Sequence, residues 1–300
     1  MLERSQLLKK RLRRLTRTFT ALEQGDVVAL HRARVASRRL RGVLPLLELE
    51  SNRARRLGRR LRKVTSRLGA VRELDALLIL IDELHVSRRP HRQALGPVGV
   101  GVAKKRSQAR KRLFRRLPID ELHKVAKRLD AVVDELREHE QSSTGVSRAW
   151  RWVVDASVVS HASRLHEAMA NAGAVYLPER LHGVRIAVKK LRYALELASE
   201  VAGTTSPELT VLRRAQETLG HMHDRQVLID RVRQEQASLT PPDLAAWRNL
   251  DALVVALEDD CRRLHARYMR LRVELEAITD KLSADGRRQA LTSPSTRRAG

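Results

Sequence analysis

The chain is 300 residues long, 42% apolar and only 3% aromatic, with a single cysteine, Cys261. The apolar share suffices for a core and excludes global disorder, the lone cysteine excludes an intrachain disulfide and a Cys-based zinc site, and the abundance of Leu, Ala, Arg and Glu favours helices over strands. Sixty Lys and Arg against 35 Asp and Glu leave a net charge of +25, and self-repulsion on that scale points to a polyanionic partner.

Nearly the whole chain reads with a helical period. Leu8, Leu12, Leu15, Phe19 and Leu22 predict a helix over residues 1–23, and Asp26 is placed to N-cap a second one running to about residue 49. A helix over 53–68 is expected to stop at Gly69, and another covers 71–85. The stretch SRRPHRQALGPVGVGV, with two prolines and three glycines, reads as a loop before a basic helix at 103–116. Pro118 opens a helix to about residue 139, and QSSTGVS (141–147) is the best linker. Further helices are expected near 148–172, 179–202, 207–219, 223–238 and 243–283, and the end of the chain reads as a frayed tail. The domain reading is one helical domain over 1–280, made of bundles at 1–140 and 148–280, with a flexible tail at 281–300.

An internal repeat organises these elements. In LHRARVASRRLR and LHGVRIAVKKLR, His31 lines up with His182, Arg34 with Arg185, Arg38 with Lys189, Arg39 with Lys190 and Arg41 with Arg192, each pair 151 residues apart. At the same offset Leu68-Gly69 meets Leu219-Gly220, Glu73 meets Asp224, Arg112 meets Arg263 and Arg116 meets Arg267. Two halves of this kind imply a duplicated helical bundle. The charge is uneven between them: residues 1–150 hold 37 basic and 16 acidic residues, residues 151–300 hold 23 and 19.

With His31 at zero on a helical wheel, Arg34, Arg38 and Arg41 fall at about −60°, −20° and −80°. Ala36, Leu40, Val43, Leu44 and Leu47 lie opposite. His182, Arg185, Lys189 and Arg192 repeat the wedge, and both wedges read as free of acid. A plain solvated face mixes signs, so an unmixed one that recurs at a fixed offset points to anion binding. Arg56, Arg60, Lys63 and Arg67 form a third comb, which the second half keeps only at Arg214, the match of Lys63. For His31 and His182 the residues leave open contact with phosphate, orientation of a neighbouring arginine, and a structural role. GHMHD (220–224) has His221, His223 and Asp224 at a spacing poorly suited to one helical metal site, so no metal or other cofactor is expected. Glu73 and Asp75 are placed to pair with basic neighbours and fix their rotamers. No nucleophile elbow, P-loop, dinucleotide fingerprint or zincin motif occurs, so a binding protein is expected rather than an enzyme. The run ALLILI is six residues long, against the roughly 20 of a membrane span. MLERSQLLKKRLRRL lacks a signal-peptide core, so a cytoplasmic protein is expected.

The doubled H-x-x-R-x-x-x-[RK]-[RK]-x-R pattern, each copy followed by an LG turn and an acid, resembles the CHAD family, the conserved histidine α-helical domain, over about residues 1–280. The resemblance implies two pseudo-symmetric four-helix bundles with a basic groove or pore between them. It also implies binding of inorganic polyphosphate, with association with polyphosphate granules in some members. Carried over by position, the lining residues are His31, Arg34, Arg38, Arg39, Arg41, His182, Arg185, Lys189, Lys190 and Arg192. Arg60, Lys63, Arg67, Arg112, Arg116, Arg214, Arg263 and Arg267 are their expected companions. Two departures stand out: Glu73 takes the place of an Asp, and His223 stands where a small polar residue is common. Both are expected to leave the combs untouched. The chain has no room for the triphosphate-tunnel domain that often accompanies this family, so a stand-alone binder is expected. The charge fits a histone-like or RNA-binding protein equally well, but the shortage of aromatics for base stacking and the lack of a docking motif count against it. A polyphosphate- or triphosphate-processing enzyme is the third reading. It would reveal itself by metal-dependent phosphate release.

Overall fold

The computed structural model describes residues 2–292 except 48, 50, 89–90, 117–118, 143–145 and 240–242, and it is silent on the side chains of 51, 116, 146–148 and 289–292. Among the described residues all regular structure is helical: α1 (Arg4–Thr16), α2 (Phe19–Glu23), α3 (Val27–Val43) continued by a 3₁₀ turn (Leu44–Leu46), α4 (Ser51–Ser87), α5 (Arg92–Arg116), α6 (Ile119–Ser142), α7 (Val146–Ala172), α8 (Pro178–Ala202), α9 (Glu208–Ala237) and α10 (Leu244–Thr292). No helix among them is long and apolar enough to cross a membrane.

The helices sort into two compact units. The larger holds Leu2–Val146 and Asp224–Asp259; the smaller holds Ser147–His223 and Asp260–Gly300. The second half of the chain is thus divided, and α9 and α10 each belong partly to one unit and partly to the other.

In the larger unit Leu8, Leu15, Leu22, Leu40, Leu61 and Leu68 of the stripes read from the sequence are almost completely buried, and Leu7 and Leu95, outside those stripes, join them in the core. Asp26 N-caps α3 as expected, its carboxylate accepting from the Val28 amide at 2.7 Å. The turn before it needs Gly25, which sits at φ +75° with the Arg110 guanidinium closing on its carbonyl; a Cβ there would stand 1.9 Å from Arg110 Nη2. α1 and α6 run antiparallel. Glu140 accepts from the Arg4 amide at 3.0 Å and lies 3.4 Å from Arg4 Nε at one end, and the Phe19 and His123 rings meet edge-on at 4.8 Å at the other.

Three expectations about breaks are corrected. Gly69 and Gly220 do not end helices; they lie inside α4 and α9, so pairs of expected helices are single ones. A helical glycine costs only about 1 kcal/mol relative to alanine, less than the burial of Leu61, Leu68 and Leu77 on the same helix returns. The expected loop at 87–102 is mostly the first part of α5, with Pro97 in its second turn. Its glycines do not mark tight packing: a Cβ on Gly99 would meet Ile81 of α4 at 3.5 Å and one on Gly101 would meet Glu235 of α9 at 3.6 Å, both ordinary contact distances. Finally, α10 continues to Thr292, beyond the expected end at 283, and a Cβ on Gly286 would meet Val159 of α7 at 2.4 Å. The tail expected from residue 281 is therefore helical to Thr292, and residues 293–300 lie outside the described residues. Of the expected linker at 141–147, residues 143–145 lie outside them too.

In the smaller unit Leu181, Val184, Val188 and Leu191 of α8 are buried, and Gly203 caps the helix in the left-handed region at φ +72°. Arg272 of α10 donates to the Gly173 carbonyl at 2.6 Å, and Lys281 pairs with Glu208 at 2.6 Å.

Candidate anion-binding faces

The first face is built by α3 and α4. The Ser37 and Thr65 hydroxyls lie 3.1 Å apart in the buried seam between these helices and set their register. Four residues beyond Thr65, Gly69 lies against Arg34: a Cβ would stand 3.4 Å from both Arg34 Nε and Nη2. Arg72 Nε then donates to His31 Nδ1 at 2.9 Å. An imidazole nitrogen that accepts carries no proton, so His31 is neutral here, with its proton on Nε2. Its pKa is held below the ordinary histidine value, first by burial, then by the cations of Arg72, Arg38 and Arg34. Arg41 is likewise lowered, by burial and then by Arg62 and Arg34.

Arg34, Arg38 and Arg72 therefore surround one neutral histidine, and Arg41 and Arg62 extend the cluster on the Arg34 side. The nearest acid with a contact is Glu73, 3.9 Å from Arg34 Nη2 and itself largely exposed. Arg34 Nε and Arg72 Nη1 are buried and have no hydrogen-bond partner. A buried N–H without an acceptor costs about 1–3 kcal/mol, so these two donors would gain from an added oxygen acceptor.

Arg62 and Arg72 were not among the expected site residues. Their signal was available: with Arg62 at zero, Gly69 and Arg72 fall at about −20° and −80° on the α4 wheel, the side that meets α3. Arg56, Arg60, Lys63 and Arg67 fall instead at about 100° to 160°. The third comb thus faces another direction and is not part of the His31 cluster. Arg60, Lys63 and Arg112 are exposed and Arg67 is half-buried; the side chain of Arg116 lies outside the described residues. Arg39 is half-buried on α3, about 80° from His31 on the side opposite to Arg41. Asp75 does pair with a basic neighbour: it is buried and accepts from Arg106 Nε at 2.6 Å.

The second face, on α8 and α9, is more compensated. The His182 and His223 rings lie 5.0 Å apart. His223 is 151 residues after Arg72, so each comb histidine is met from the same position of the following long helix, by an arginine in one case and a histidine in the other. The departures at Glu73 and His223 were expected to leave the combs untouched; both in fact reach them. Arg192 Nε donates to Gln216 at 2.9 Å, and its guanidinium pairs with Glu196. Glu196 falls at about −40° from His182, one turn beyond Arg192, so the second wedge is not free of acid. Arg185 and Lys189 are half-buried and Lys190 is exposed. His161 of α7, which the sequence did not flag, is held below the ordinary value by burial, then by Arg164 and Lys190, and its Nδ1 is buried without a partner. Arg214 pairs with Glu274 at 2.7 Å and Arg263 with Asp260 at 2.6 Å, while Arg267 is exposed. In GHMHD, His221 lies 3.7 Å from Glu217 and His223 meets His182. Among the described residues no group of three or more His, Cys, Asp or Glu side chains is placed to hold a metal ion.

Comparison with known proteins places this arrangement. Two solved structures share the fold. One is PptA from Streptomyces chartreusis, 16% identical, with a TM-score of 0.63 over 89% of this chain and 97% of that one. The other is the CHAD domain from the plant Ricinus communis, 25% identical, with a TM-score of 0.58 over 93% and 90%. No curated protein matches the sequence. The family model described as CHAD domain matches residues 6–233, a span that takes in both histidine faces, and the chain belongs to the CHAD family.

Proposed function

We propose that this chain binds inorganic polyphosphate along its His31 and His182 faces, as a granule-associated or polyphosphate-targeted binder and not as an enzyme. The observation that carries the reading is the His31 face: three arginines around a neutral histidine and two more beside them, with Arg34 Nε and Arg72 Nη1 buried and lacking acceptors. Phosphate oxygens supply what such donors lack, and guanidinium forks grip them two at a time. Membership of the CHAD family supports the choice of ligand.

The two faces are read as copies of one ancestral unit. The helix boundaries support this: α3 begins at Val27 and α8 at Pro178, 151 residues apart. α10 runs through the positions that match both α5 and α6, with Met269 where the first half has Pro118. The compensation of Arg192 by Glu196 and Gln216 makes the His31 face the stronger of the two.

A competition titration tests the function. Labelled long polyphosphate is bound near physiological salt and competed with double-stranded DNA at equal phosphate concentration, for the native chain and for His31→Ala/Arg34→Ala/Arg38→Ala. Polyphosphate should win by at least tenfold, about 1.4 kcal/mol, and the variant should lose it. Equal competition by DNA, with the variant binding as before, refutes both ligand and site.

A further inference from the structure

A second basic feature lies apart from the histidine faces, in the cleft between α1 and α6 of the larger unit. Its volume is about 590 Å³, within the range of small-molecule sites, roughly 300–1,000 Å³. Lys9 and Arg13 line it from α1, Lys124 and Lys127 from α6. Like charges set across such a groove repel one another. Here four cations face one acid, Asp130, which makes no ion pair with any of them. Lys124 has a partner on its own helix, Glu121 at 3.3 Å. The side chains of Lys9, Arg13 and Lys127 have neither ion pair nor hydrogen bond among the described residues.

The floor differs in kind from the His31 face. Leu12 and Ala126 are buried beneath the cations and give the cleft an apolar base. At the Thr16 end His123 is held edge-on against Phe19 and closes the base with a ring. A strip of apolar surface is wasted on a bare phosphate chain; it suits a ligand with an organic body beside its phosphates. With Asp130 in the lining and Glu121 paired to Lys124, the four cations leave +2, a charge that the phosphates of a di- or triphosphate ester more than offset.

We propose that the α1–α6 cleft is a binding site for an organic phosphate of nucleotide size, separate from the polyphosphate faces. ATP without magnesium is the probe, titrated calorimetrically at near-physiological salt. The proteins are the native chain, Lys9→Ala/Lys127→Ala, and Arg34→Ala/Arg72→Ala. The native chain should bind ATP saturably, the cleft variant at least about tenfold more weakly, and the arginine variant like the native. Unchanged ATP binding in the cleft variant overturns the site, as does loss of ATP binding in the arginine variant, which moves the nucleotide to the His31 face. Inorganic tripolyphosphate, titrated in parallel, should bind the cleft more weakly than ATP; equal binding overturns the organic half of the proposal. Long polyphosphate measured on the same proteins separates the two claims, since the cleft variant should retain it. Lys9 and Lys127 are at most half-buried, and thermal melts of the variants check that the fold is kept.

Discussion

Salt dependence tests the His31 face most directly. Arg34→Gln/Arg72→Gln keeps side-chain bulk and removes two of five clustered cations. Both sit where their buried N–H groups lack acceptors. If each contacts one phosphate, the log–log slope of affinity against salt shallows by about 0.7 per contact, the value for single strands, or about 1.4 in all. Charge-assisted hydrogen bonds contribute about 1.5–3 kcal/mol each, so two lost at the low end weaken binding about 100-fold. The assay is fluorescence anisotropy of end-labelled polyphosphate over a potassium chloride series. The variant line should be lower and shallower, converging on the native line at high salt. A lower but parallel line refutes the reasoning: affinity would be lost without ion contacts, through a change of structure. An unchanged line refutes the site.

Other outcomes follow from the same structure. Binding should strengthen as pH falls from about 7.5 to 6, because an anion offsets the cations that lower His31 and so couples to proton uptake; His31→Asn should shallow that dependence, and an identical pH profile in the variant counts against the coupling. The ligand-free chain should show the opposite trend. The folded-state values of His31, His161 and His265 lie below 6.5, so the unfolded chain binds more protons, and the melting temperature should fall as pH drops from about 6.5 toward those lowered values. Gly69→Ala should stabilise the chain by up to about 1 kcal/mol in chemical denaturation, since the position is helical and the new methyl meets Arg34 at ordinary contact distance. Glu140→Ala, which strips a buried partner from Arg4, should cost about 2–3 kcal/mol in the same assay.

The apolar stripes, the Asp26 cap and the His31 wedge were legible because each depends on one helix and its own period. What was not legible depends on a neighbour. Gly69 and the glycines of α5 carry local penalties that argue for breaks, yet each penalty is only about 1 kcal/mol and the buried leucines and valines of the same helices outweigh it. Pro97 removes one backbone hydrogen bond near the start of α5, too little to break a helix that buries Leu95, Val98 and Val102. Arg72 was visible as a residue but not as the partner of His31, since that bond spans 41 residues and needs the α3–α4 register fixed by Ser37 and Thr65. Glu196 is different: the wheel already placed it beside Arg192, and only extending the pattern by one turn was missing.

The unfilled donors of Arg34 and Arg72 also bear on how long the protein lasts. A ligand that occupies them favours the folded state by mass action, by about 2.7 kcal/mol when its concentration is a hundred times Kd. Proteases that act on the opened chain then find it about a hundredfold less often, where opening is fast relative to cleavage. Should the chain bind such an anion, its abundance would thereby track the anion's supply without any change in synthesis.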